Sequence, residues 1–144
     1  VLAMTQETRR LLPDIALSVT VPHILPLDQQ VTLAEALVKA GADIIQTEGG
    51  TSSTTAPGGV IGLIEKAAHT LAAAAEISRA VSVPVLCASG ISSVTAPMAI
   101  AAGAAGVGVG SAINKLDSEV AMVAAVRAIV EGLRSFSRVP AQVS

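Results

Sequence analysis

Aromatic residues are almost absent from this chain, which has one Phe and neither Trp nor Tyr among its 144 residues. A core without rings has to be assembled from Ala, Val, Leu and Ile, and at 51% hydrophobic residues the supply is ample. Charge is scarce as well, at 14% of the chain, with 9 basic against 11 acidic residues, a net charge of −2 and no cluster of Lys or Arg. That balance gives no electrostatic footprint for nucleic acid or for an acidic membrane surface, and neither is expected as a partner. The one cysteine, Cys87, excludes an internal disulfide framework and suits a reducing compartment. No apolar run approaches the roughly 18 residues of a membrane span before Gly, Pro or a charge breaks it. The first residues lack the charged and apolar regions of a signal peptide.

What the chain does have is one grammar repeated four times. Ile15 to Val21 is rich in β-branched residues and ends at Pro22-His23; Asp28 then suits the cap of a helix whose Leu33, Leu37 and Ala40 stop at Gly41. Asp43 to Thr47 is the next strand. A loop rich in Gly, Ser and Thr follows from Gly49 to Gly59, and Ile64, Ala67, Leu71, Ala74, Ile77 and Val81 then recur at helical spacing. Pro84 to Ala88 and Gly106 to Val109 supply the third and fourth strands. Their helices are expected to begin near Thr95 and Asp117, the last burying Val120, Val123, Val126, Val130 and Leu133. Strands alternating with helices, each strand nearly continuous in apolar residues, predict an α/β fold with a parallel sheet covered by helices.

Four such units are half of a (β/α)8 barrel, which takes about 250 residues. The expected architecture is the C-terminal half of such a barrel forming a single partial domain over 1–144, with missing units preceding Val1, because Val1 to Leu12 reads as the helix leading into the first strand. Bare parallel edges predict self-association of the fragment. The competing fold is an open doubly wound sheet. Its dinucleotide fingerprint is lacking, since Gly106, Gly108 and Gly110 fall within or at the end of a strand and the third spacing is wrong.

The third and fourth strands carry the clearest functional signal. Each finishes in a Gly-containing turn just before a helix, at Ser89-Gly90 and at Gly110-Ser111. Backbone N–H groups in such turns cradle anions, and in barrels the loops after the seventh and eighth strands hold phosphate. Gly90, Ile91, Gly110 and Ser111 are therefore the candidate phosphate-binding residues. Lys115, just beyond, either adds charge or is a solvated helix-start lysine.

Barrel chemistry gathers at strand C-termini. Alternation sets Ser18 and Thr20 on the face opposite Leu17, Val19 and Val21, so the polar pair is expected to line the barrel interior, with Gln46 and Glu48 from the second strand and Cys87 and Ser89 from the third. Ser18, Thr20, Gln46 and Ser89 form the expected substrate pocket. Glu48 is the candidate acid or base, its pKa expected to rise in a partly dry mouth, or else it braces the following loop. His23 is the second catalytic candidate, as proton carrier or as a plain turn residue. Asp43, at the opposite strand end, reads as structural, His69 as exposed helix surface and Cys87 as a core residue rather than a nucleophile. One His and one Glu are too few for a metal site, so none is expected. Thr51, Ser52, Ser53, Thr54 and Thr55 make the Gly49 to Gly59 loop a candidate lid.

The segments ALSVTVPHILPLDQQ, GADIIQTEGGTSS, GLIEKAAHTLAAAAEIS, VPVLCASGISSVTAPMAIAAGAAGVGVGSAIN and EVAMVAAVR closely resemble the Ycf23 family of plastid and cyanobacterial proteins, over nearly the whole chain from about Thr5 to Arg134. The resemblance implies a TIM-type barrel in the cyanobacterial cytoplasm or chloroplast stroma, and it implies no activity. A looser likeness, limited to Ala88 to Asn114, is to phosphate-binding barrels such as thiazole synthase and thiamine-phosphate synthase. The Schiff-base lysine of thiazole synthase has no counterpart here, because no predicted strand contains Lys.

The leading expectation is a metabolic enzyme whose ligand carries a phosphate. A flavin mononucleotide barrel is the runner-up, since that cofactor's phosphate uses the same two loops. The non-enzyme alternative is a regulatory or scaffold barrel sensing a phosphorylated metabolite.

Overall fold

The structure, a computed structural model, describes residues 1–50 and 58–137. The five hydroxyl residues of the candidate lid lie outside the described residues. In chain order the elements are α1 (Leu2–Leu11), β1 (Ser18–Thr20), α2 (Leu27–Lys39), β2 (Ile44–Thr47), α3 (Gly59–Ala80), β3 (Val85–Ala88), α4 (Ala96–Ala101), β4 (Gly106–Gly108), α5 (Ser111–Asn114) and α6 (Glu119–Ser137). Proline explains two strand bounds. Pro22 follows β1, and Pro84, which has no N–H to give to a ladder, immediately precedes β3.

All three strand pairings are parallel, and the strands lie in the order β1-β2-β3-β4. Right-handed crossovers between successive neighbours put every connecting helix on one face and leave the other bare. A doubly wound sheet needs a reversal of strand order and helices on both faces. The described sheet has no reversal, so this is an α/β half barrel with helices outside.

Register assigns the two faces. Thr20 pairs with Gln46, Gln46 with Leu86 and Leu86 with Gly106, forming one row across the bare face, while Val19, Ile45 and Val85 form a row beneath the helices. The core is aliphatic, as a chain poor in rings demands. Val19, Val21, Leu37, Ile45, Ile77 and Val85 pack under α2 and α3, and Ala67, Ala74, Cys87, Ile91, Ala99 and Ile129 pack under α3, α4 and α6. Cys87 is fully buried on this helix-covered face, so its expected inward direction is wrong. Leu86 and Ala88 occupy the bare face instead, because β3 is apolar throughout and has no alternation from which a parity could be read.

Three further expectations are corrected. Pro26, not Asp28, is the N-cap of α2; Asp28 sits in the first turn, where its carboxylate complements the helix dipole without a capping hydrogen bond. The chain between β4 and α6 contains an extra short helix, α5. On α6 four residues of the expected apolar stripe face solvent, with Val120 81% exposed and Val123, Val126 and Val130 also exposed; Leu133 packs against the core as expected, Ile129 is buried and Gly132 packs against Pro97.

The opposite end of the sheet from the mouth is fastened by Arg9. Its guanidinium donates to the carbonyls of Gly41, Pro13 and Ile15 and pairs with Asp43, which also accepts the Leu17 N–H at 2.7 Å. That backbone bond, then the Arg9 bond, holds the Asp43 carboxyl below its ordinary range, and the structural reading of Asp43 stands on this geometry.

A polypeptide limited to these 144 residues leaves β1 and β4 as open edges and the valines of α6 uncovered. It is expected to self-associate in sedimentation velocity experiments. A monodisperse monomer that unfolds cooperatively would contradict the half-barrel account.

Candidate functional site

The C-terminal ends of the strands are clamped from below by one buried threonine. Thr70, on α3, donates from Oγ1 to the Ala88 carbonyl at 2.6 Å, which leaves Thr47 Oγ1 as the donor across the 2.6 Å contact to Thr70. The ends of β2 and β3 are thereby fixed to the same turn of α3. Cys87 lies against this pair with Sγ 3.6 Å from Thr70 Oγ1, and burial pushes its thiol pKa up, which suits a packed residue and not a nucleophile.

Beyond the clamp, the loop after β3 turns sharply. Ser89 and Gly90 have φ of 73° and 74°, both in the left-handed region. Gly90 is required twice over, because a Cβ there would lie 2.5 Å from the Lys66 carbonyl oxygen of α3. Ser89 takes that conformation as an L-residue, a strained state of the kind that collects at binding sites. Its Oγ donates to the Gly49 carbonyl at 2.7 Å, tying the loop after β2 to the loop after β3. Next, the buried Ser92 gives its N–H to Thr95 Oγ1 at 2.9 Å, setting the entry into α4. After β4, Gly110 is the exposed N-cap of α5, with open space where its side chain would be. The N–H groups of Ser111 and Ala112, first in α5, have no intrahelical acceptor.

These loops enclose a cleft of about 690 Å³ lined by Gln46, Gly50, Lys66, Ala88, Ser89, Gly90, Ile91, Gly108, Val109, Gly110, Ser111 and Lys115. All four candidate phosphate residues are on its wall, and so are Gln46 and Ser89 from the expected substrate pocket. Two lysines, Lys66 and Lys115, are among its lining residues, and no Asp or Glu is. Ser18 and Thr20 are exposed on the bare face and do not line the cleft. The sequence argument did not find Lys66. Its contribution depends on α3 passing close beneath Gly90, a long-range contact with no local signature.

Glu48 and His23 meet elsewhere. The His23 Nδ1–H donates to Glu48 Oε2 at 2.9 Å, and the His23 backbone N–H reaches the same oxygen at 3.3 Å. The pair lines a second cleft of about 450 Å³ together with Gln30 and His69. The His23 ring also lies over Gly50, where a Cβ would come within 2.8 Å of Cδ2, so this ring sits against a lining residue of the first cleft while it lines the second. The expected rise in the Glu48 pKa is overturned. The side chain is 45% exposed, and the His23 side-chain hydrogen bond, followed by the backbone one, lowers the pKa. A depressed carboxylate contributes stability above its ordinary titration range and loses that contribution as the pH falls through the depressed value. A carboxyl NMR titration is expected to give Glu48 a midpoint below the ordinary glutamate range, and His23→Ala, which removes the ring but keeps the backbone N–H, is expected to raise it toward that range. A midpoint unmoved by His23→Ala would remove the pairing.

Among the described residues no group of three His, Cys, Asp or Glu side chains could hold a metal ion, and no helix is long and apolar enough to cross a membrane.

The chain is 43% identical over 120 residues to the uncharacterized protein ycf23 of Porphyra purpurea, covering 83% of this chain and 45% of that protein. It is 41% identical over 123 residues to the uncharacterized protein ycf23 of Cyanophora paradoxa, covering 85% and 50%. It thus spans about half the length of these curated relatives. Among solved structures, a designed cube-shaped, highly porous protein cage matches with a TM-score of 0.46 and 17% identity, over 92% of this chain and 58% of that one. The relatives bear out the resemblance to Ycf23, and residues 1–138 match the protein family of unknown function DUF561, to which this chain belongs.

Proposed function

We propose that this protein is a barrel whose mouth binds a phosphate-bearing small molecule, with the anion between the loops after β3 and β4. The observation carrying this reading is that Gly90, Ile91, Gly110 and Ser111 share one cleft with Lys66 and Lys115 and with no carboxylate. In phosphate-binding barrels the anion sits between two successive βα loops and the start of a short extra helix, and α5 is such a helix. Unpaired N–H groups at that start and the two lysines would favour negative charge, while the absence of side chains at Gly90 and Gly110 allows close approach. The body of the ligand would lie over Gln46 on the bare face, with Ser18 and Thr20 farther along it. In this reading the Glu48–His23 pair, whose ring lies against Gly50, would serve as the acid or base.

The relatives are about twice as long as this chain, which leaves length for the four further units that a closed barrel of about 250 residues needs. The setting we propose is the cyanobacterial cytoplasm or the chloroplast stroma. The test is calorimetric titration of the intact protein with inorganic phosphate, ribose 5-phosphate and flavin mononucleotide. A Lys66→Ala, Lys115→Ala double variant is expected to weaken whichever binds by at least about tenfold and to flatten its salt dependence. Equal affinity in the double variant would refute the reading.

A further inference from the structure

The cleft on the other side of the Glu48–His23 pair has a feature that the anion reading does not use. Gln30, on α2, is only 7% exposed, and its Nε2 donates to the Leu25 carbonyl at 2.8 Å. That bond fixes which end of the amide is the acceptor. The acceptor, Oε1, is buried with no hydrogen-bond partner among the described residues. Orphaned buried acceptors are uncommon and costly, and this one belongs to a residue lining a cleft. The cleft is walled by the loop between β1 and α2 on one side and by His69 and Ala72 of α3 on the other.

We propose that this cleft is a second ligand site, in which a small shift of the buried Gln30 side chain uncovers Oε1 to the N–H or O–H donor of a small organic molecule whose apolar body lies on the surrounding wall. Three observations converge on that chemistry. The unsatisfied group is an acceptor, so its partner must be a donor. The remaining polar groups are the Glu48–His23 pair and His69, whose carboxylate and ring nitrogens suit a ligand carrying amine, amide or hydroxyl hydrogens. The rest of the wall, including Ile24, Leu25 and Leu27, is aliphatic, and Ile24 is exposed at the rim. Lysine is absent from this wall, in contrast to the anion cleft, so the two sites select different ligands. His23 touches Gly50 of the anion cleft while its ring is held by Glu48, so the pair stands between the two ligands. The inference does not depend on phosphate binding, and either site can fail without the other.

The test uses the intact protein, labelled on the Gln side-chain amides and the His rings, with butyramide as donor probe and 2-pentanone as a probe of similar size that lacks a donor. Butyramide is expected to shift the Gln30 amide and the His69 ring resonances with an affinity of roughly millimolar, the range for so small a ligand. The ketone is expected to bind at least about tenfold more weakly, because it leaves the acceptor unpaired. Gln30→Met should erase that preference. In case the loop needs the Gln30–Leu25 bond to fold, Ala72→Leu, an exposed helical position, should block the cleft while leaving inorganic phosphate binding unchanged. The proposal is overturned if butyramide moves neither resonance, if the ketone binds equally well, or if Ala72→Leu binds butyramide as the wild type does. A crystal structure with butyramide that shows only an ordered water at Gln30 would overturn it too.

Discussion

Gly90→Ala is expected to be strongly damaging for the addition of a single methyl. The added Cβ would stand 2.5 Å from the Lys66 carbonyl oxygen and 2.9 Å from its carbon, both backbone atoms of α3 that no rotamer change can move away. Position 90 also has a φ of 74°, which an L-residue adopts at a cost of about 1–2 kcal/mol. Overpacking against fixed backbone adds about 1–3 kcal/mol. Together these predict a loss of roughly 2–5 kcal/mol in chemical denaturation of the intact protein, in the upper range of what single substitutions do. The control is Gly110→Ala. Nothing lies within 4 Å of its Cβ position and its φ is −117°, so its stability should stay within about 0.5 kcal/mol of wild type. A Gly90→Ala protein as stable as wild type would mean that α3 does not pass beneath the loop after β3, and Lys66 would lose its place in the cleft.

The largest effect on binding is expected from Gly110→Asp. The same open space that makes Ala harmless there admits a carboxylate at the entrance to α5, beside Ser111 and Lys115. That group would compete with the phosphate for the same N–H and ammonium donors and repel it, lowering affinity at least tenfold, or about 1.4 kcal/mol. Stability should change little, which separates lost binding from lost folding. Arg127→Ala, on the exposed flank of α6, serves as the surface control and should bind as wild type does. Equal binding by Gly110→Asp would refute the anion site.

The fold was legible because the four strands and their helices carry unlike periods, and because Gly and Pro separate them. The strand cores at Ser18–Thr20, Ile44–Thr47, Val85–Ala88 and Gly106–Gly108 all fall inside the expected segments. Faces were legible only where polarity alternates. Ser18 and Thr20 against Val19 and Val21 give the correct side of β1, whereas β3 is apolar at every position and Cys87 was assigned to the wrong face. On helix α6 apolar residues lie along more than one line, and the valine line is the exposed one. The buried one is marked by Ile129 and by Gly132, whose missing side chain lets Pro97 approach. Local turn chemistry singles out Gly90, Ile91, Gly110 and Ser111, and the four do line one cleft. Partnerships were not. His23 is 25 residues from the Glu48 carboxylate that it lowers, and Lys66 reaches the cleft only through a tertiary contact.

The most direct measurement of the central claim is a crystal structure of the intact protein soaked in tungstate, a tetrahedral dianion that marks phosphate sites by its anomalous signal. One strong peak is expected in the cleft within hydrogen-bonding distance of the Ile91 and Ser111 N–H groups, displaced by inorganic phosphate and lost in Gly110→Asp. A cleft without tungstate at saturating concentration, or a peak there that Gly110→Asp leaves in place, would contradict it.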